Sequence, residues 1–62
     1  MTRDEFAQAL DDHGPHVCIH WKDGARIRGT VEHRFPDGVI LFETSNTTLG
    51  VTPREVAEVH AA

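Results

Sequence analysis

The sequence predicts a mainly β domain: one N-terminal α-helix, then a five-stranded, strongly bent barrel with a 3-10 turn before its last strand. Three observations predict it. An apolar stripe of helical period is confined to the first 13 residues, and after Pro15 the pattern switches to period two. Third, `VTPREVAEV` (residues 51–59) opens with a helix-start signal, yet its Val56 and Val59 are spaced for neither a long helix nor a continuous strand.

The helix spans about residues 2–13. In `TRDEFAQALDDHGP`, Thr2 is the N-cap and Glu5, three residues on, completes a capping box. Asp4 and Glu5 suit the positive end of the helix dipole. Phe6, Ala9, Leu10 and His13 fall at i, i+3, i+4 and i+7 and form one narrow stripe. Gly14 closes the helix and Pro15 prevents its continuation.

Two half-buried strands follow. Val17, Ile19 and Trp21 alternate with His16, Cys18, His20 and Lys22. Ala25, Ile27, Gly29 and Val31 alternate with Arg26, Arg28, Thr30 and Glu32. The turn `KDG` decides their register. A two-residue loop would set Trp21 opposite Arg26 and mix the faces. A three-residue loop with Gly24 left-handed sets Trp21 opposite Ala25 and keeps the apolar sets together. Gly29, in mid-strand, marks a sharp bend of a long strand around a small barrel.

`FPDG` (residues 35–38) is the next turn. `VILFE` then runs apolar without alternation, which predicts a strand covered on both faces. Ser45 and Asn46 turn the chain into a fourth strand, `TTLGV`. A single 3-10 turn over Pro53–Val56, then a strand over Ala57–His60, accommodates both late valines. The Thr52-x-x-Glu55 box with Pro53 at the first position thus starts a corner, not a helix. The whole is one SH3-like domain, residues 1–62, with its barrel over about 16–60.

Size and composition limit what such a domain does. A chain of 62 residues buries only about 60% of its unfolded surface, so it folds with little margin. Cys18 is the only cysteine, so there is no intrachain disulfide, and a reducing compartment is expected. Oligomerisation is the natural stabiliser. No apolar run nears the roughly 18 residues that cross a membrane, and residues 1–12 do not resemble a signal peptide, so a cytoplasmic location is expected. The net charge of −4 argues against indiscriminate phosphate binding. The charge is uneven, however: residues 24–34, `GARIRGTVEHR`, carry three arginines against Glu32 alone.

Residues 23–59, `DGARIRGTVEHRFPDGVILFETSNTTLGVTPREVAEV`, resemble the Sm-like proteins, most nearly the bacterial Hfq branch. The likeness lies in a turn glycine (Gly24), an alternating strand with a central glycine (Ile27, Gly29, Val31-Glu32), a loop phenylalanine (Phe35) and Val39-Ile40-Leu41. It implies a closed ring, six subunits favoured, made by pairing the fourth strand of one subunit with the fifth of the next. It also implies single-stranded RNA as ligand; no cofactor and no enzymatic activity are expected. The family's Lys-His at the pore is Pro53-Arg54 here, and its uridine pocket before the Val-Ile-Leu run reads Asp37-Gly38. The expected RNA surface is therefore the second strand and its loop, Gly24, Ala25, Arg26, Ile27 and Arg28, with Arg54 at the pore. Phe35 and Arg34 are secondary candidates.

Each candidate has a plainer alternative. Arg26 and Arg28 would form an ordinary solvated face if paired to Glu32 or Glu43. Trp21 reads as core or subunit interface sooner than as a base-stacking platform. His16, Cys18 and His20 share one strand face and carry metal-ligand chemistry. Residues i and i+4 on a strand lie about 13 Å apart, too far to share one ion, so no metal site is expected. Scattered His13, His33 and His60 read as having no special role. Ser45, Thr47 and Thr48 lack an orienting acid, which disfavours a hydrolase. The rival functional class is an acidic Sm-like adaptor that docks on, or inhibits, an RNA-handling protein through a strand edge or its helix.

Overall fold

The computed structural model describes all residues, 1–62. Its elements are α1 (Arg3–His13), β1 (His16–Trp21), β2 (Arg26–Arg34), β3 (Ile40–Glu43), β4 (Thr48–Val51), a 3-10 turn (Pro53–Glu55) and β5 (Val56–Ala61). The five strands form one antiparallel sheet in the order β4-β3-β2-β1-β5. The predicted fold class is thus observed, as a bent sheet and not a closed cylinder: β4 and β5 are the two edges and do not pair with each other. No helix is long and apolar enough to cross a membrane.

The capping box of α1 is formed. Glu5 N–H donates to Thr2 Oγ1 at 3.1 Å, and Thr2 N–H donates to Glu5 Oε1 at 2.8 Å. The backbone bond from Thr2, with the side-chain bond behind it, holds the Glu5 carboxyl below its ordinary pKa. Phe6 and Leu10 are buried, Ala9 is partly so, and His13 is exposed, so the apolar stripe is shorter than predicted. Gly14 is extended (φ −73°), not left-handed. Pro15 follows it, and a residue before proline is held in the extended region.

The `KDG` turn is the bulged three-residue loop. Gly24 has φ +96°, its N–H donates to Trp21 O at 3.0 Å, and Trp21 N–H donates to Ala25 O at 2.9 Å. The `FPDG` turn repeats this construction around Gly38. Gly29 sits at a close crossing. A Cβ there would collide with the Glu43 carbonyl oxygen and lie 2.9 Å from the Phe42 ring.

Two expectations change at β3 and at the C-terminal corner. Ile40 and Phe42 are buried, but Leu41 and Glu43 are exposed, so β3 alternates and is covered on one face only. The single core lies inside the bend and nothing in the chain covers the outside. At the corner, the 3-10 turn stops at Glu55 and β5 starts at Val56. Thr52 makes no side-chain cap bond; Glu55 N–H donates to the Thr52 backbone oxygen at 3.0 Å. The valine spacing has a different cause from the one predicted. His20 opposes Glu58 while Trp21 opposes Val56, so Ala57 is an extra, bulged residue. The bulge turns both Val56 and Val59 inward.

The core is Phe6, Leu10, Val17, Ile19, Ile40, Phe42, Val51, Val56 and Val59, with no buried polar side chain. Burying each such side chain contributes about 1.5–3 kcal/mol. Trp21 is half-buried and packs against this core.

Candidate functional site

Antiparallel pairing places residues that face each other across two strands on the same side of the sheet. On the outer side, His16 faces Thr30, Cys18 faces Arg28 and His20 faces Arg26. On the other neighbour of β1, Cys18 faces His60 and His20 faces Glu58. One continuous outer face therefore carries Arg26, Arg28, Cys18, His20, Glu58 and His60.

This face borders an open cleft of about 830 Å³. Arg26 and Arg28 form one wall, and Thr44, Ser45, Asn46 and Thr47 of the β3–β4 loop form another. That loop is tied back on itself. Thr44 N–H donates to Thr47 O at 2.7 Å, and Thr47 N–H donates to Thr44 Oγ1 at 3.2 Å. Ile27 and Leu49, both half-buried, add apolar lining. Ile27 thus belongs to the candidate site through its inner face and not through the arginine face.

The arginines differ in how they are held. The four ion pairs are Arg3–Asp4, His20–Glu58, Arg34–Asp11 and His60–Glu58, so Arg26, Arg28 and Arg54 have no ion-pair partner. Glu32 and Glu43, the acids that would have neutralised Arg26 and Arg28, interact with each other instead: Glu43 pairs with Thr30, Glu32 sits at the register shift beside it, and the two carboxyls are close enough to influence each other. Repulsion from Glu43 is the main cause that pushes the Glu32 carboxyl above its ordinary pKa. Arg34 is committed to Asp11 at 2.8 Å and joins β2 to α1.

The predicted set does not converge on one place. Gly24 and Ala25 are exposed turn residues leading into Arg26. Arg34 and Phe35 lie elsewhere, around a hollow of about 290 Å³ between α1 and the `FPDG` turn, where Arg3, Phe6 and Gly38 also meet. The Phe35 ring stands edge-on to His33, with centroids 4.6 Å apart. Arg54 is exposed on the 3-10 corner and lines neither hollow.

Sequence reasoning missed Glu58 and His60. Their importance depends on the β1–β5 register, which the bulge at Ala57 shifts. His60 Nε2 lies 3.0 Å from Glu58 Oε1, and His20 Nδ1 lies 3.6 Å from the same oxygen. The hydrogen bond to His60, with the charges of His60, His20 and Arg26 behind it, holds the Glu58 carboxyl below its ordinary pKa. His16 is engaged separately, its Nδ1 3.0 Å from Thr30 Oγ1.

Searches against protein-family models, curated proteins and solved structures return no match to this chain, so the fold and this outer face carry the functional reading by themselves.

Proposed function

We propose that this protein is an Sm-like subunit that assembles into a closed ring, six copies favoured, and binds single-stranded RNA without catalysing a reaction. One observation carries the RNA reading: Arg26 and Arg28 are unpaired on one strand face beside a cleft edged by hydroxyl and amide side chains. Such a surface suits a flexible strand. Guanidinium groups meet phosphates or stack on bases, and the Thr44–Thr47 loop offers donors and acceptors to base edges. A duplex would need a broader positive field than a chain of net charge −4 supplies. The ring reading is supported by the two unpaired edges, β4 and β5, and by a core of nine buried side chains in a 62-residue chain.

A second reading has its own observation. The exposed side of α1 carries Asp4, Glu5, Asp11 and Asp12, of which only Asp4 and Asp11 meet a cation. That surface suits docking to a basic protein, as an adaptor or inhibitor of an RNA-handling partner would do.

Native mass spectrometry followed by anisotropy titration with labelled A-rich and U-rich oligonucleotides separates the two. The RNA reading expects a closed oligomer that binds at low salt. Arg26→Ala with Arg28→Ala keeps the oligomer but weakens binding, and lowers the salt slope by about 0.7 for each phosphate that is no longer neutralised. A stable monomer at micromolar concentration removes the ring. No binding of any oligonucleotide by the wild type at low salt removes the RNA reading and leaves the adaptor.

A further inference from the structure

We propose that His20, Glu58 and His60 form a binding site for a divalent transition-metal ion with the coordination chemistry of zinc. The donors come from two strands adjacent in space but separated in sequence by most of the chain, with His20 on β1 and Glu58 and His60 on β5. One ligand atom from each lies within 4.8 Å of the others. Two edges of this triangle are 3.0 Å, His60 Nε2 to Glu58 Oε1, and 3.6 Å, His20 Nδ1 to Glu58 Oε1. In a tetrahedral zinc centre with bonds of about 2.0–2.1 Å, neighbouring donors stand about 3.3 Å apart. These edges bracket that length before any metal draws the donors together.

The third edge needs a small adjustment. The His20 and His60 rings lie 4.4 Å apart, tilted by 32°. The His60 side chain is 53% exposed and turns without disturbing the core, while His20, 20% exposed, is held by its neighbours. The site therefore has one anchored ligand and two adjustable ones. Two imidazoles and a carboxylate suit zinc, copper or nickel, and disfavour magnesium and calcium, which favour all-oxygen shells. Three protein ligands leave a fourth position for water or for a molecule in the adjoining cleft, which Cys18, His20 and His60 help to line. Cys18 faces His60 across the strands but lies outside the donor triangle. Arg26, opposite His20, adds positive charge that opposes a cation. This inference does not depend on the RNA reading.

Calorimetric titration of the intact protein with zinc tests it, with magnesium as the control ion. The expected result is one zinc per chain, no response to magnesium, and a higher melting temperature with zinc. His60→Ala and Glu58→Gln, at exposed positions, each weaken zinc binding by about tenfold or more, while the metal-free variants stay folded by circular dichroism. His20→Ala does the same if it folds; if it does not, the two exposed variants decide. His33→Ala leaves zinc binding unchanged, and Arg26→Ala tightens it. No saturable zinc binding by the wild type up to the millimolar range overturns the proposal. So does His60→Ala binding within twofold of wild type, for the cluster is then a histidine–glutamate ion pair and nothing more.

Discussion

Gly29 is the position where the geometry makes the sharpest demand on side-chain size. Its backbone is not in the left-handed region, so conformational freedom is not the reason for glycine. The reason is space. A Cβ at residue 29 would overlap the Glu43 carbonyl oxygen and lie 2.9 Å from two carbons of the fully buried Phe42 ring. The first neighbour is backbone and belongs to the β2–β3 ladder, in which Thr30 pairs with Glu43. It cannot yield by a rotamer change; the two strands must part. Overpacking of this kind costs about 1–3 kcal/mol. Alanine already supplies the colliding atom, so Gly29→Ala is expected near 2 kcal/mol, and Gly29→Val near or beyond the upper end of about 3 kcal/mol. In a domain of this size each kcal/mol moves the melting temperature by about 4–8 °C, so Gly29→Ala should melt roughly 8–16 °C lower. Circular-dichroism melts at one fixed protein concentration measure this, since self-association would otherwise shift the midpoint. Gly50 is the internal control: a Cβ there meets nothing within 4 Å, and Gly50→Ala should stay within about 0.5 kcal/mol of wild type. A Gly29→Ala midpoint as close to wild type as that of Gly50→Ala would refute the crowded bend.

Two further outcomes follow from the carboxylates. Because Glu43 raises the Glu32 pKa, the folded chain holds extra proton above Glu32's ordinary value, and stability falls as pH rises through that raised value. Glu43→Gln should therefore raise the melting temperature at pH about 7 and have a smaller effect at pH about 3, below the ordinary value of Glu32. At the helix start the sign is opposite: Glu5 is lowered by its bonds from Thr2, so its contribution is present at neutral pH and lost as pH falls through the folded value. Glu5→Gln, which removes the carboxylate that the Thr2 backbone N–H holds, should lower the melting temperature at neutral pH and have a smaller effect in acid, as paired melts at the two pH values would register.

What the sequence discloses divides along a physical line. Local chemistry is legible. The Thr2–Glu5 box, the bulged turn at Gly24 and the crowding at Gly29 each depend on a few neighbouring residues or on one period-two pattern, and all three are present. Relations across long separations are not. The bulge at Ala57 leaves no local mark, so the valine spacing reads as a longer 3-10 turn. Leu41 reads as covered because an unbroken apolar run does not say whether a second layer exists. In the candidate site, the Arg26–Arg28 face is visible from alternation alone. His60 is not, because its neighbour in space, Cys18, is known only once β5 is laid against β1. Arg34 looks as free as Arg28 until the helix brings Asp11 to it.

The position of β1 between β2 and β5 gives it one partner near in sequence and one far away. Ile19 pairs with Ile27, eight residues on (27 − 19), and with Val59, forty residues on (59 − 19). Closing the longer loop costs about 1.4 kcal/mol more in chain entropy than closing the shorter one. The meander from β1 to β4 is a sequence of such short closures, whereas the helix rests chiefly on β5 and on the corner before it. The two ends of the chain thus act as a clasp. Phe6, Leu10 and Val59 belong to one buried cluster, so the burial of each depends on both ends of the chain being in place.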